Sequence, residues 1–237
     1  MAPIILAHRG ASALAPENTA AAFALARSMG ADGFECDVHL SGDGVPVVIH
    51  DRNLKRLAGL NRRVDSLPWR QLSGLDVGSW FERRFSDQRL LRLQDALKLG
   101  GRGFRPLVEL KQTTPPRDLA LARACAPLLA SARAWACSFS ARICAALRQC
   151  RPRLHVQLVV SPENERQWLM ALEAARRLQL QGLAVDYRRL TRLRVARLHQ
   201  LGLQAGAWTV NRRADYVRLA RWGVDVIETD HPGLKSP

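Results

Sequence analysis

Long apolar runs, paired cysteines and lysine are all scarce in this sequence. No apolar stretch reaches the roughly 18 residues of a membrane-spanning helix, so no transmembrane segment is expected. The N-terminal Met1-Ala-Pro-Ile-Ile-Leu-Ala-His lacks a basic n-region and a long apolar h-region, which argues against a signal peptide. Five cysteines (Cys36, Cys125, Cys137, Cys144 and Cys150) make an odd number without a CxxC pair. Free thiols in a reducing, cytoplasmic setting are the expectation, not a disulfide framework. Only four of the 36 basic residues are lysine, and no block of five like charges occurs despite a net charge of +15. Arginines spread this evenly argue against a nucleic-acid-binding tail and suit attraction of an anionic substrate. There is no Pro/Ser-rich linker, so residues 1–237 are expected to form one domain.

What is present is alternation. Apolar β-rich runs at Pro3–His8, Gly33–Leu40, Pro106–Leu110, Ala134–Phe139, His155–Val160, Gly182–Asp186, Gln204–Thr209 and Val224–Glu228 alternate with helical runs. These begin with Asn18–Met29 and end with Arg212–Trp222. Strict alternation with short links implies a parallel sheet covered by helices. Eight steps in 237 residues favour closure into a (β/α)8 TIM barrel. Val45–His50 returns from the second strand through Ser-Gly-Asp-Gly, a hairpin turn. Residues 52–92 lose periodicity and read as a small insertion after the second strand, with little regular structure.

Polar residues gather where these strands end, which is where a barrel places its active site. His8-Arg9-Gly10 closes the first run and His50-Asp51 the extended arm. Glu35 and Asp37 lie two apart on the second strand and so share a face, with Phe34, Cys36 and Val38 turned to the helix layer. Adjacent buried carboxylates repel unless a cation lies between them, and oxygen donors suit Mg2+ or Ca2+. Glu109 and Lys111 repeat the spacing on the next barrel strand, making Glu109 a candidate third ligand. Taken singly, each piece also reads as a surface histidine, a solvated acidic face or a structural Glu–Lys pair. Their coincidence on one rim favours a site.

The motifs His8-Arg9-Gly10, Pro16-Glu17-Asn18-Thr19, Glu35-Cys36-Asp37-Val38, His50-Asp51, Glu109-Leu110-Lys111 and Trp208-Thr209-Val210-Asn211 follow one another along the chain. In this order the sequence resembles the glycerophosphodiester phosphodiesterase family of bacterial, cytoplasmic type. It departs from the family pattern at Leu54–Ala58, at Leu91–Asp95 and at Glu228, none of which is expected to reach the ligands or histidines.

The resemblance implies hydrolysis of a small glycerophosphodiester to sn-glycerol 3-phosphate and an alcohol, with one divalent cation, Mg2+ or Ca2+. His8 and His50 would be the acid–base pair, in either order, and Glu35, Asp37 and Glu109 the metal ligands. Arg9 and Lys111 would hold the phosphate, and Phe139 and Trp208 would wall the alcohol or glycerol group. The nucleophile is either water or the substrate's own 2-hydroxyl, through a cyclic phosphate. Glu17 is expected to anchor the first helix, and Asp51 to orient the turn or a histidine. A second enzymatic reading is lysophospholipase D. Trp69, Trp80 and Phe81 beside Arg62, Arg63 and Arg70 would then give weak membrane-surface contact, although packing of the insertion accounts for these aromatics. A non-enzymatic nucleic-acid-binding barrel predicts salt-sensitive binding and leaves the histidines and carboxylates without a use.

Overall fold

The computed structural model describes residues 2–235. Ten strands alternate with nine α-helices: β1 (Ile4–Ala7), α1 (Ala20–Ser28), β2 (Gly33–Leu40), β3 (Pro46–Val48), α2 (Lys55–Ala58), α3 (Trp69–Leu72), β4 (Leu91–Arg92), α4 (Leu93–Lys98), β5 (Arg105–Leu110), α5 (Pro115–Ala132), β6 (Trp135–Ser138), α6 (Ala141–Cys150), β7 (Val156–Val160), α7 (Glu165–Arg177), β8 (Gly182–Asp186), α8 (Arg192–Gln200), β9 (Gln204–Trp208), α9 (Arg213–Trp222) and β10 (Val226–Thr229). Strands β1, β2 and β5 to β10 are all parallel, and β1 pairs with both β2 and β10, which closes an eight-stranded barrel. The expected (β/α)8 architecture is therefore present.

The period of two along each strand divides the core into two layers. Phe34, Cys36 and Val38 of β2 pack outward with Phe23, Ala26, Leu121 and Ala122 of the helices. Leu6, Leu107, Cys137, Val159, Ala184 and Val226 point inward and fill the barrel. Helices start where side chains can cap them: Thr19, Ser140, Asn164 and Thr191 each accept a backbone N–H from the first turn of α1, α6, α7 and α8. Helix α5 begins at Pro115, four residues before the apolar period becomes visible at Leu119. Proline suits a first helical turn because its missing N–H is not needed there.

The insertion differs from its expected irregularity. β3 runs antiparallel to β2, with Val38 opposite Val48, and β4 runs antiparallel to β3. Between them α2, α3 and two 3-10 turns enclose a separate apolar cluster of Val47, Ile49, Leu54, Leu57, Val64, Leu67, Leu72, Val77 and Leu90. The helices here are four residues long, too short to show a helical period in sequence. Four cysteines are buried, Cys150 is partly buried, and all five are free thiols.

Candidate active site

The His-Arg-Gly turn is built by backbone geometry. Arg9 and Gly10 have φ values of 58° and 83°, in the left-handed region that favours glycine. A Cβ at Gly10 would also lie 2.6 Å from the Ala22 side chain. The Arg9 N–H donates to Glu35 Oε2 at 3.1 Å, and its carbonyl accepts from the Asn18 N–H at 2.9 Å. The turn thereby joins the end of β1 to β2 and to the start of α1.

Glu35 and Asp37 are each 1% exposed and point into the barrel mouth, where Asp37 lies opposite Glu109 in the β2–β5 register. Glu35, Asp37 and Glu109 each offer a carboxylate oxygen within 4.8 Å of the others. Asp37 is the most constrained of the three. Asn18 Nδ2 donates to its Oδ2 at 2.8 Å while Asn18 Oδ1 accepts the Asp37 N–H at 3.2 Å. Lys111 Nζ lies 2.7 Å from Asp37 Oδ1 and 2.7 Å from Glu109 Oε1, and Arg9 Nε lies 3.3 Å from Asp37 Oδ2. Burial alone would raise the Asp37 carboxyl, but Lys111, Arg9 and His50 outweigh it and hold the group well below the usual carboxylate range.

Glu35 behaves in the opposite way. Burial and the neighbouring Asp37 push its carboxyl well up, and its Oε1 is buried without a hydrogen-bond partner. Burial and Asp37 raise Glu109 as well. A converging trio of hard oxygen donors, with Glu35 Oε1 buried and unpartnered, fits Mg2+ or Ca2+. Lys111 bridges two of these carboxylates and supplies positive charge to the same place.

The two histidines stand on the same rim and are held alike. His8 Nδ1 is 2.7 Å from Asp230 Oδ1, and His50 Nδ1 is 2.8 Å from Asp51 Oδ1. With ionised carboxylates as acceptors, Nδ1 carries the proton on each ring and Nε2 is left for a substrate. Burial lowers the His50 ring from its ordinary value, partly offset by Asp37. Asp230 is fixed in turn by Ser12 Oγ at 3.0 Å and Asn211 Nδ2 at 2.6 Å, which gives the asparagine of the Trp-Thr-Val-Asn motif a role. His39, buried behind His50, is within 3.0 Å of the His50 carbonyl through Nε2.

A recess of about 550 Å³ lined by His50, Asp51, Arg52, Glu109, Lys111 and Phe139 opens beside these groups. Phe139 meets Trp208 edge-on at 5.4 Å between ring centroids, and Trp208 Nε1 donates to the Ala184 carbonyl. A recess of similar volume, 560 Å³, lies at the other end of the barrel against Trp135 and His155 but contains no carboxylate. Chemistry, not size, marks the first as the candidate site. All nine expected site residues thus stand at or beside the mouth.

Two readings are corrected. Glu17 does not cap α1, since Thr19 does; its carboxylate binds Arg9 at 3.2 Å and Arg56 at 2.8 Å. Glu228 lies closer to the chemistry than its place among the sequence departures implied. It is buried on β10, and burial with Glu109 and Asp37 lifts its carboxyl to about 7 against the pull of His8. Asp230 and Asn18 had no assigned role, because their partners lie 222 and 19 residues away.

The sequence matches the glycerophosphoryl diester phosphodiesterase family over residues 8–234. The chain belongs to that family. It is an enzyme of the phosphoric diester hydrolase type. A glycerophosphodiester phosphodiesterase of Caldanaerobacter subterraneus is 31% identical over 236 residues, covering 98% of this chain and 96% of the relative. YhdW of Bacillus subtilis, a proposed glycerophosphodiester phosphodiesterase, is 34% identical over 232 residues, covering 96% and 94%. Among solved structures, an Oleispira antarctica phosphodiesterase in complex with the product sn-glycerol-3-phosphate superposes with a TM-score of 0.88 at 26% identity, covering 98% of this chain and 94% of its own.

Proposed function

We propose that this enzyme cleaves glycerophosphodiesters to sn-glycerol 3-phosphate and an alcohol by proton transfer between His8, His50 and the reacting oxygens. One observation carries the reading. Two imidazoles, each held through Nδ1 by a carboxylate, stand on the rim of a single buried carboxylate cluster. The product complex of the Oleispira antarctica relative supports the choice of glycerol 3-phosphate.

A phosphodiester is anionic, so its cleavage needs neutralisation of the non-bridging oxygens and a proton for the leaving alkoxide. Glu35, Asp37 and Glu109 would hold one Mg2+ or Ca2+, which when bound supplies that neutralisation. Arg9 offers a guanidinium fork and Lys111 a point charge at the same oxygens. One histidine takes the proton of the nucleophile and the other protonates the leaving group. Phe139 and Trp208 would form an apolar wall against the glycerol or alcohol group. We place the reaction in one domain in the cytoplasm; among the described residues no helix is long and apolar enough to cross a membrane.

Turnover of glycerophosphocholine with Mg2+, with Ca2+ and with EDTA tests the assignment, for wild type, His8→Ala and His50→Ala. Either alanine variant at near-normal turnover refutes the acid–base pair, and full activity in EDTA refutes the metal site. Following the phosphorus products in the same assay reveals whether a cyclic phosphate forms on the way. Exposed Phe139 and Trp80 favour a second reading, lysophospholipase D activity on amphiphilic diesters. Faster turnover of a lysophospholipid than of glycerophosphocholine, with co-sedimentation on vesicles, would establish it.

A further inference from the structure

Glu17 and Arg56 take no part in the scheme above, yet they link its two ends. Glu17 Oε1 accepts from Arg9 Nη1 at 3.2 Å and from Arg56 Nη2 at 2.8 Å, and its Oε2 accepts from Arg56 Nη1 at 2.8 Å. Arg56 Nε then donates to Asp51 Oδ2 at 2.6 Å, and Asp51 Oδ1 is the partner of His50. An unbroken series therefore runs Arg9–Glu17–Arg56–Asp51–His50. Arg56 belongs to α2, the first helix of the insertion, and its guanidinium lies 5.3 Å from the ring centroid of Trp80, also in the insertion.

The chemistry of Arg56 differs from that of Arg9. All three of its guanidinium nitrogens are engaged on carboxylates, in a bidentate pair with Glu17 and a single bond to Asp51. It presents no free edge to a phosphate. Arg9 keeps Nη2 without a partner among the described residues. Only a planar fork can span Glu17 and Asp51 together; a lysine ammonium is a point charge on a flexible stem.

We propose that Arg56 is a positioning residue for the hydrolysis, fixing the His50 ring through Asp51 and the Arg9 fork through Glu17, so that docking of the insertion completes the site. The proposal rests on the roles given above to His50 and Arg9. The competing account is that the cluster only fastens the insertion to the barrel.

Steady-state kinetics on glycerophosphocholine separate the two accounts, using Arg56→Ala, Arg56→Lys, Asp51→Asn, the Arg56→Ala/Asp51→Asn double variant and His50→Ala. Partners behind directly acting groups are commonly worth about 10–100-fold. Arg56→Ala is expected to lower kcat by about that factor while the rise in melting temperature on adding Mg2+ is retained. Arg56→Lys is expected to recover part of the loss. Groups that act as one unit are non-additive, so the double variant should be within about twofold of the worse single variant. An Arg56→Ala kcat within about threefold of wild type overturns the proposal, as does a double variant whose loss is the product of the two single losses. If Arg56→Ala does not fold, the cycle is run with Arg56→Lys against Asp51→Asn, and a double variant whose loss is the product of the two single losses overturns the proposal. Normal Arg56→Ala beside inactive His50→Ala defeats this proposal alone. Active His50→Ala defeats the acid–base reading and this one with it.

Discussion

Replacing Asp230 by Asn tests the hold on His8 most directly. All three neighbours of this carboxylate are donors: His8 Nδ1 at 2.7 Å and Ser12 Oγ at 3.0 Å on Oδ1, and Asn211 Nδ2 at 2.6 Å on Oδ2. An asparagine has one acceptor and one donor group, so in either amide orientation a donor faces a donor. Burial would raise the Asp230 carboxyl, but His8, Asn211 and Ser12 bring it from 3.8 to about 2. At 1.36 kcal/mol per pKa unit that is roughly 2 kcal/mol. Solvent screening at a side chain 28% exposed reduces it to about 1–1.5 kcal/mol. For a chain of this length the loss corresponds to about 2–6 °C in melting temperature. Because the folded-state pKa is depressed, the contribution is complete above about pH 4 and fades as pH falls toward 2. The gap in melting temperature between wild type and variant should hold from pH 7 to about 4 and narrow below. Turnover should fall by about 100-fold, the low end for a positioned proton-transfer group. Calorimetry and initial rates on glycerophosphocholine measure both effects. A stability loss with turnover within about threefold of wild type would refute the claim that Asp230 serves proton transfer at His8.

Further outcomes follow from the same geometry. Glu35→Gln should leave the metal-free melting temperature within about 2 °C, since burial already favours the neutral carboxyl. It should remove most of the stabilisation by Mg2+ seen in wild type, which is about 2.7 kcal/mol at a hundred times Kd; titration by scanning fluorimetry reads both. Asn18→Ala strips two hydrogen bonds from buried Asp37 and should cost about 1–3 kcal/mol, with Mg2+ affinity weakened about 10-fold or more by calorimetric titration. Phe139→Ala should raise KM more than it lowers kcat, and equal losses in both arms of the kinetics would deny Phe139 a place in ground-state binding.

The barrel was legible because burial on both faces makes each parallel strand an apolar run, and amphipathic helices separate those runs. Glu35, Asp37 and Glu109 stood out for the opposite reason: they are charges inside strands that must be buried. The supporting partners were hidden. Asp230 lies beyond the last strand, in what reads as an ordinary turn, and nothing local announces His8 as its partner. Arg56 sits in a four-residue helix among many arginines, and only the folded insertion brings it against Glu17 and Asp51. The regular structure of residues 52–92 escaped notice because its helices are each about one turn long.

His8 and Asp230 touch across 222 residues, at the seam where β10 meets β1. In synthesis the histidine is made before the seven other barrel strands and the carboxylate that orients it after them. A nascent chain that has assembled seven of the eight barrel strands still leaves that ring without its carboxylate, because the seam is open. Under the role proposed for His8, diester cleavage requires the seam to close, and the return of activity during refolding would time the closing of the barrel.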